Sequence, residues 1–350
     1  MFLGAYNCSS DGNFKSDSLK WISQDADDML KRSRLMAGDC IFCIVGNTIG
    51  SSFIVDKNIL PANINQNVAL IRAIKGVAHP RYMHYCLLSS YIQWQVKQEA
   101  SIQAQPSLSL KQVSDFRITL PPIAEQLKIT KIISTWDKAI ATTEQLLANS
   151  QQQKKALMQQ LLTGKKRFTG FSGKWESTHL CDMAKIVKGK ALSSRDLVDG
   201  EIPVIAGGKS SPYKHCYYTH EDVITVSASG AYAGYVSYHP YKIWASDCSV
   251  VVAREGFDTG YIYQLLIFRQ NEIYSLQSGG AQPHIYPKDL ESLKVITPSL
   301  GEQKVISSLL VVCDKEIEIV LKQLHSLKQE KKALMQQLLT GKRRVKVDAA

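Results

Sequence analysis

Residues 154–168 read KKALMQQLLTGKKRF, and residues 331–345 read KKALMQQLLTGKRRV. A basic, leucine-rich phrase of this length does not recur by chance, so the chain is read first as a duplication. Sliding the sequence along itself by the same interval aligns more than the phrase. Gln105-Pro106 falls on Gln282-Pro283, Lys111 on Lys288 and Pro121 on Pro298. Glu125-Gln126 falls on Glu302-Gln303, and Asp137-Lys138 on Asp314-Lys315. No gap is needed from residue 105 to residue 167.

Further upstream the copies drift. NQNVALIR (65–72) lies over DCSVVVAR (247–254), two β-like runs ending in Arg. GDCIFCIVGNTIG (38–50) matches EDVITVSASGAYAG (221–234), a strand followed by a turn of small residues. YMHYCLLSSYIQWQVKQ (82–98) and YIYQLLIFRQNEIYSL (261–276) both have helical spacing. The second copy opens at GKWESTHLCDMAKIVKGK (173–190), for which the first copy has no counterpart. Met1 therefore stands in the middle of the repeating unit, and roughly thirty residues of front are expected to be missing from the first copy.

The ends of the copies are long helices. Residues 123–163 and 300–340 contain no Gly or Pro except Gly301, with Pro121-Pro122 and Pro298 before them and Gly164 and Gly341 after. Ile129, Ile133, Trp136, Ile140, Leu147, Leu157 and Leu161 keep a three-to-four spacing in the first. Ile306, Leu310, Cys313, Ile317, Leu321, Leu324, Leu334 and Leu338 keep it in the second. Two apolar stripes in one chain are expected to bury each other, antiparallel if the globular parts lie at opposite ends.

Charge locates less than it promises. The net charge is +11, but residues 175–298 carry a net −2, and most of the basic excess sits in 123–174 (+6) and 299–350 (+4). The eight cysteines are scattered and read as reduced thiols. The one CxxC, Cys40 and Cys43, lies in a strand-like run where side chains three apart point to opposite faces, so it is not a metal or redox pair. No apolar run reaches the ~18 residues of a membrane span. The opening MFLGAYNCSSDGNFK lacks a signal-peptide pattern, so a cytoplasmic protein is expected.

Catalytic motifs are missing where an enzyme would show them. The only GKS, at Gly208–Ser210, has Pro203 where a phosphate loop needs its first glycine. ITLPPI (118–123) has Leu120 where an amino-methyltransferase holds its target amine, and GxSxG and HExxH do not occur. No catalytic residue and no metal ligand is assigned.

The order GDxxxxxxGxxIG, NQNVALIR, LPPIAEQLKI, a long helix and KKALMQQLLTGKKRF, repeated with Trp175 and LCDMAKIVKG opening the second unit, resembles the specificity subunit of type I restriction–modification systems. The resemblance covers essentially the whole chain and implies an α+β fold. Two β-rich target recognition domains would be joined by a pair of long antiparallel coiled-coil helices with a pseudo-twofold internal repeat. It places a first recognition domain, incomplete at its front, at 1–122, and a spacer helix at 123–164. A linker follows at 165–174, a second recognition domain at 175–299, a second spacer helix at 300–341 and a basic tail at 342–350. It implies double-stranded DNA as ligand, each domain reading half of a bipartite site and the helices setting the gap. Two modification subunits would dock on the helices and carry restriction subunits with them. S-adenosylmethionine, ATP and Mg2+ would be used by those partners, and this subunit would hold no cofactor and catalyse nothing.

DNA contacts are expected on Gly/Ser-rich loops, where backbone can approach a groove. In the second unit Lys188, Lys190, Lys209 and Lys214 are candidates for phosphate, and Ser210, Tyr213, Ser229, Tyr232, Gln282 and His284 for base edges. Asn47, Thr48, Gln103 and Gln105 are the first unit's equivalents. Each is as readily a solvated loop residue. Two other readings stay open, a truncated or degenerate specificity subunit and a coiled-coil scaffold that does not touch DNA.

Overall fold

The computed structural model describes residues 1–100, 106–193, 195–208, 213–280 and 282–346. The chain divides into two compact units, Met1–Glu144 with Lys322–Ala350, and Gln145–Leu321. The first unit contains β1 (Phe2–Leu3), α1 (Gln24–Met29), β2 (Cys40–Cys43), β3 (Ser52–Ile54), β4 (Asn63–Ile64) and β5 (Val68–Ile71). Three short helices follow, α2 (Pro80–Leu88), α3 (Ser90–Glu99) and α4 (Leu110–Ser114), and then the long α5 (Ile123–Leu161), which belongs to this unit up to Glu144 and to the second from Gln145. The second unit contains β6 (Glu176–His179), α6 (Leu180–Met183), β7 (Ala184–Lys188), β8 (Ile202–Ile205) and β9 (Lys214–His215). It continues through β10 (Val223–Ser227), β11 (Val236–His239), β12 (Trp244–Ala245), β13 (Cys248–Ala253), α7 (Thr259–Phe268) and α8 (Gln270–Ser275). It then has α9 (Pro287–Glu291) and β14 (Lys294–Thr297), and the long α10 (Leu300–Leu338) belongs to this unit up to Leu321 and to the first from Lys322.

Each unit is built on an antiparallel sheet with the apolar run of its first copy strand at the centre. In the first the order is β3-β2-β5, and in the second β11-β10-β13-β7. All of CIFC in β2 is buried, because both faces of this sheet are covered. Ile41 and Cys43 pack into one cluster with Phe53 and Val68, whereas Cys40 and Phe42 pack into another with Ile44 and Ala69. The two cysteines thus lie on opposite faces of β2, as the alternation of a strand requires. Beside each main sheet lies a parallel pair, β1 with β4 and β8 with β12.

The sheets also correct the alignment of NQNVALIR with DCSVVVAR. Cys43 and Ser227 are equivalent, since each accepts the backbone N–H of the turn glycine that follows, Gly50 and Gly234. Their partners across the ladder are Val68 and Cys248. The true register is therefore two residues away from the one that matches the terminal Arg72 with Arg254. A slip of two keeps every side chain on its face, which is why the apolar pattern could not reveal it.

The long helices have 39 residues each, about 58 Å at ~1.5 Å per residue. Just beyond them Gly164 (φ +71°) and Gly341 (φ +74°) turn the chain in the left-handed conformation that glycine adopts without strain. Within the first unit the early part of α5 runs antiparallel to the late part of α10, with Glu144 paired to Lys328 and Asp137 to Lys331. Within the second unit the late part of α5 runs antiparallel to the early part of α10, where Lys154 pairs with Asp314. Of the stripe residues, Ile129, Ile133, Leu161, Ile306, Leu310, Leu324 and Leu338 are buried, and Trp136, Ile140, Leu147, Leu157, Cys313, Ile317 and Leu334 half-buried. Leu321 is the exception at 46% exposed, and its neighbour Val320, at 8%, takes the buried place. A three-to-four spacing can be continued through either residue, so the pattern alone did not choose between them.

Two buried histidines give the fold a pH dependence. Loss of hydration holds His84 in the first unit and His239 in the second well below the ordinary histidine value, each at about 4. The unfolded chain takes up these protons near pH 6.5, so the stabilising difference is complete above that pH and is lost as pH falls towards 4. For His84, by pH 5, this amounts to about 2 kcal/mol. Urea midpoints are expected to drop between pH 7 and pH 5, and to drop less in a His84→Gln chain; an equal drop would assign the effect to other groups.

Candidate nucleic-acid interface

Repeated residues of one copy meet repeated residues of the other. Glu302, fully buried, receives the Arg167 guanidinium through Nε (2.9 Å) and Nη2 (2.6 Å), and the Trp175 indole N–H at 3.3 Å. Glu125 receives Arg344 in the same way, through Nε (2.8 Å) and Nη2 (2.6 Å). Paired hydrogen bonds of this kind are the strong form of ion pair. Arg344 holds the Glu125 carboxyl below the usual carboxylate range, and both guanidiniums are held above theirs by their carboxylates.

The adjoining glutamines fix the globular parts to the helices. Gln126 donates to Pro121 O and Val77 O and accepts from the backbone N–H of His79, the cap of α2. Gln303 donates to Pro298 O and Thr297 Oγ1 and accepts from the N–H of Asp258, the cap of α7. Further along, Tyr85 Oη donates to Asp137, which also binds Lys331, and Gln264 Nε2 donates to Asp314, which also binds Lys154. The repeated phrase is thus held by the carboxylates of the other copy's EQ and DK pairs. Lys165, Lys166, Lys342 and Arg343 beside it stay exposed.

The candidate reading loops of the second unit surround the ends of β7, β10 and β13. Lys188 and Lys190 are exposed, with the Lys190 ammonium 5.2 Å from the centre of the Trp244 ring. Between them Gly189 donates to Cys248 O, and an added Cβ would stand 2.3 Å from Ser246 O, so only glycine lets the loop lie this close. Ser229 is half-buried, and its hydroxyl donates to the Asp247 carboxylate. Its backbone bridges to His284, which also bridges Ser278 and stacks on Tyr286 with centroids 6.3 Å apart. Tyr232 and Gln282 are exposed on the same pair of loops. Tyr213 is exposed, and Lys214 is exposed while paired with Glu201.

In the first unit Asn47 and Thr48 are exposed on the loop after β2, where Thr48 Oγ1 lies 3.4 Å from Cys43 Sγ. That loop is tied down as its equivalent is: Gly46 donates to Pro106 O, and Gly230 to Pro283 O. Lys209, Ser210, Gln103 and Gln105 lie outside the described residues. The structure therefore gathers Ser229, Tyr232, Gln282 and His284 into one surface and Lys188 with Lys190 into another, while Tyr213 and Lys214 belong to β9 and its approach. Sequence reasoning missed Asp247, which anchors Ser229, and the exposed Tyr217, Tyr218 and Tyr241 with Lys242, whose ammonium sits 4.6 Å from the Tyr218 ring centre. The signal for the latter was the interleaving of aromatic and basic residues in HCYYTH and HPYKIW.

The family model of the type I restriction modification DNA specificity domain matches residues 29–149 and again residues 172–329. The chain is 27% identical over 367 residues to the MjaX type I restriction enzyme specificity subunit of Methanocaldococcus jannaschii, covering 96% of this chain and 86% of that protein. It is 24% identical over 339 residues to the MjaVIII specificity subunit of the same organism, covering 86% and 78%. Among solved structures, the type I restriction–modification S subunit from M. genitalium superposes with a TM-score of 0.67 at 16% identity, covering 96% of this chain and 91% of that one. The specificity domain, matched twice, defines the class: a DNA-specificity protein. The chain belongs to the type I restriction–modification specificity subunit family, whose role is DNA recognition.

Proposed function

We propose that each globular unit reads one half of a bipartite site in double-stranded DNA, with α5 and α10 setting the interval between the halves. The observation that carries this reading is that the specificity domain matches twice, once towards each unit. The contacts support it: equivalent residues hold both copies to the helices, whereas the loops at the sheet ends differ in sequence. A common frame with divergent loops is what two readers of different half-sites need.

The long helices are also the surface on which two modification subunits dock, bringing restriction subunits with them. S-adenosylmethionine, ATP and Mg2+ act in those partners, and the assembled complex methylates or cleaves. The work is done in the cytoplasm, and no helix among the described residues is long and apolar enough to cross a membrane. Lys188, Lys190 and Lys214 make phosphate contacts, and Ser229, Tyr232, Gln282 and His284 face base edges.

DNA binding by the complex reconstituted with its modification subunits tests this. Affinity is expected to fall steeply as salt rises, since each phosphate contact releases counterions. Lys188→Ala with Lys190→Ala is expected to reduce that salt slope by one to two units. An unchanged slope and affinity in the double variant would remove this loop from the interface.

A further inference from the structure

The first unit holds a cavity of about 700 Å3 between α2, the early part of α5, the late part of α10 and the turn at residues 10–14. One wall is a single face of α2, on which Arg81, His84, Tyr85 and Leu88 follow at helical spacing. Four of the charges around it cancel in pairs, Asp137 with Lys331 at 2.6 Å and Glu144 with Lys328 at 2.7 Å. Arg81 and Lys332 are left over, since no carboxylate among the described residues stands within ion-pair distance of either. Across from them Asp11 and Asp56 bring exposed carboxylates to the rim.

His84 is the buried polar group of this wall. It is only 5% exposed, and its Nε2 has no hydrogen-bond partner among the described residues. Burial keeps the ring neutral, so one nitrogen accepts and the other donates. A buried polar atom without a partner is costly, and the cavity is the place from which one can be supplied. The turn above it is held close by Gly12 (φ +92°), where an added Cβ would stand 2.4 Å from Leu88 Cδ1 and 3.1 Å from the His84 ring. The second unit shows that the frame does not require these groups. His79 and Asp258 are equivalent caps, so Arg81, His84 and Tyr85 correspond to Gly260, Tyr263 and Gln264. There Tyr263 packs on Tyr238 with ring centres 5.5 Å apart, while the aspartate–lysine pair is retained. Attachment to the long helices is thus achieved without an arginine or a histidine at these places.

We propose that this cavity binds a small phosphate monoester on a hydroxylated carbon skeleton, the phosphate meeting Arg81 and Lys332 and a hydroxyl meeting His84. One guanidinium and one ammonium together neutralise a phosphate dianion, and the arginine fork matches its oxygens. A hydroxyl both donates and accepts, so it satisfies His84 in either tautomer. Asp11 and Asp56 accept further hydroxyls and repel a second phosphate, which favours a monoester over a polyphosphate. Phe14, Leu88 and Met335 give the carbon skeleton apolar contact. The volume lies within the ~300–1,000 Å3 usual for ligand sites. A sugar phosphate and a nucleoside monophosphate share this chemistry. None of the candidate reading residues lines the cavity, so its occupant is distinct from the DNA of the preceding proposal.

The test is calorimetric titration of the full chain, without DNA, with ribose 5-phosphate and with adenosine 5′-monophosphate, inorganic phosphate serving as the control. Saturable binding of one molecule per chain is expected for at least one of the two esters, with slowed hydrogen exchange at Pro80–Leu88. Arg81→Gln and Lys332→Gln, which break no ion pair, should each weaken it by about tenfold. Tighter binding of the nucleotide would identify the base as part of the ligand, and tighter binding of ribose 5-phosphate would identify a sugar phosphate. No saturation by about 1 mM of either ester, or equally tight binding of inorganic phosphate, would overturn the proposal. Unchanged binding in both variants, or protection confined to the second unit, would overturn it as well.

Discussion

A chain shortened by four residues in each long helix, Gln145–Ala148 and Lys322–His325, is expected to direct methylation to the same two half-sites with an interval about two base pairs shorter. Four residues of helix rise ~6 Å, and a base pair of duplex rises ~3.4 Å. The deletions fall between Asp137 and Lys154 in α5 and between Asp314 and Lys331 in α10, so both carboxylate–lysine pairs keep their partners within their own units. The Gln126 and Gln303 attachments and the reading loops are untouched. A reconstituted complex acting on duplexes of graded spacer length reads the outcome. A changed half-site, or an unchanged interval, would mean that the helices do not set the distance.

The second large effect is on stability. Ile133→Ala is expected to cost about 2–5 kcal/mol, because the side chain is fully buried among Tyr82, Tyr85, Met335 and Leu338 and its loss leaves a cavity. Leu310→Ala should cost about as much in the second unit, where Leu310 packs with Leu161, Tyr261 and Leu265. Leu321→Ala is the control: at 46% exposed it should change stability by no more than about 0.5 kcal/mol. Urea unfolding resolves these, with hydrogen exchange assigning each loss to its unit. A Leu321→Ala cost equal to that of Leu310→Ala would put the buried seam on the wrong face.

Much of this was legible in the sequence, and the reasons are physical. The long helices could be read because boundary residues and an apolar stripe persist over 39 positions, whereas Leu321 against Val320 could not, since both satisfy the spacing. The strands of each sheet were readable as β-branched runs, but their register across the repeat was not. Only the bonds of Gly50 and Gly234 show that Val68, not Gln66, stands where Cys248 stands. The most informative omission concerns Arg167 and Arg344. In sequence they belong to a basic cluster that could as well meet phosphate, and nothing local reveals that each reaches a glutamate more than 130 residues away. The candidate loops could be picked out as Gly/Ser-rich segments, but their internal contacts could not, because Ser229 is anchored by Asp247, which stands in the sequence-distant turn just before β13.

The central claim is that this chain supplies the sequence choice of a DNA-modifying complex. Mapping methylated adenines across the genome of cells with and without its gene, the partner subunits being present in both, tests it most directly. One bipartite motif, two half-sites at a constant interval, should be methylated in the first population and unmethylated in the second. An identical set of methylated motifs in both would contradict the claim.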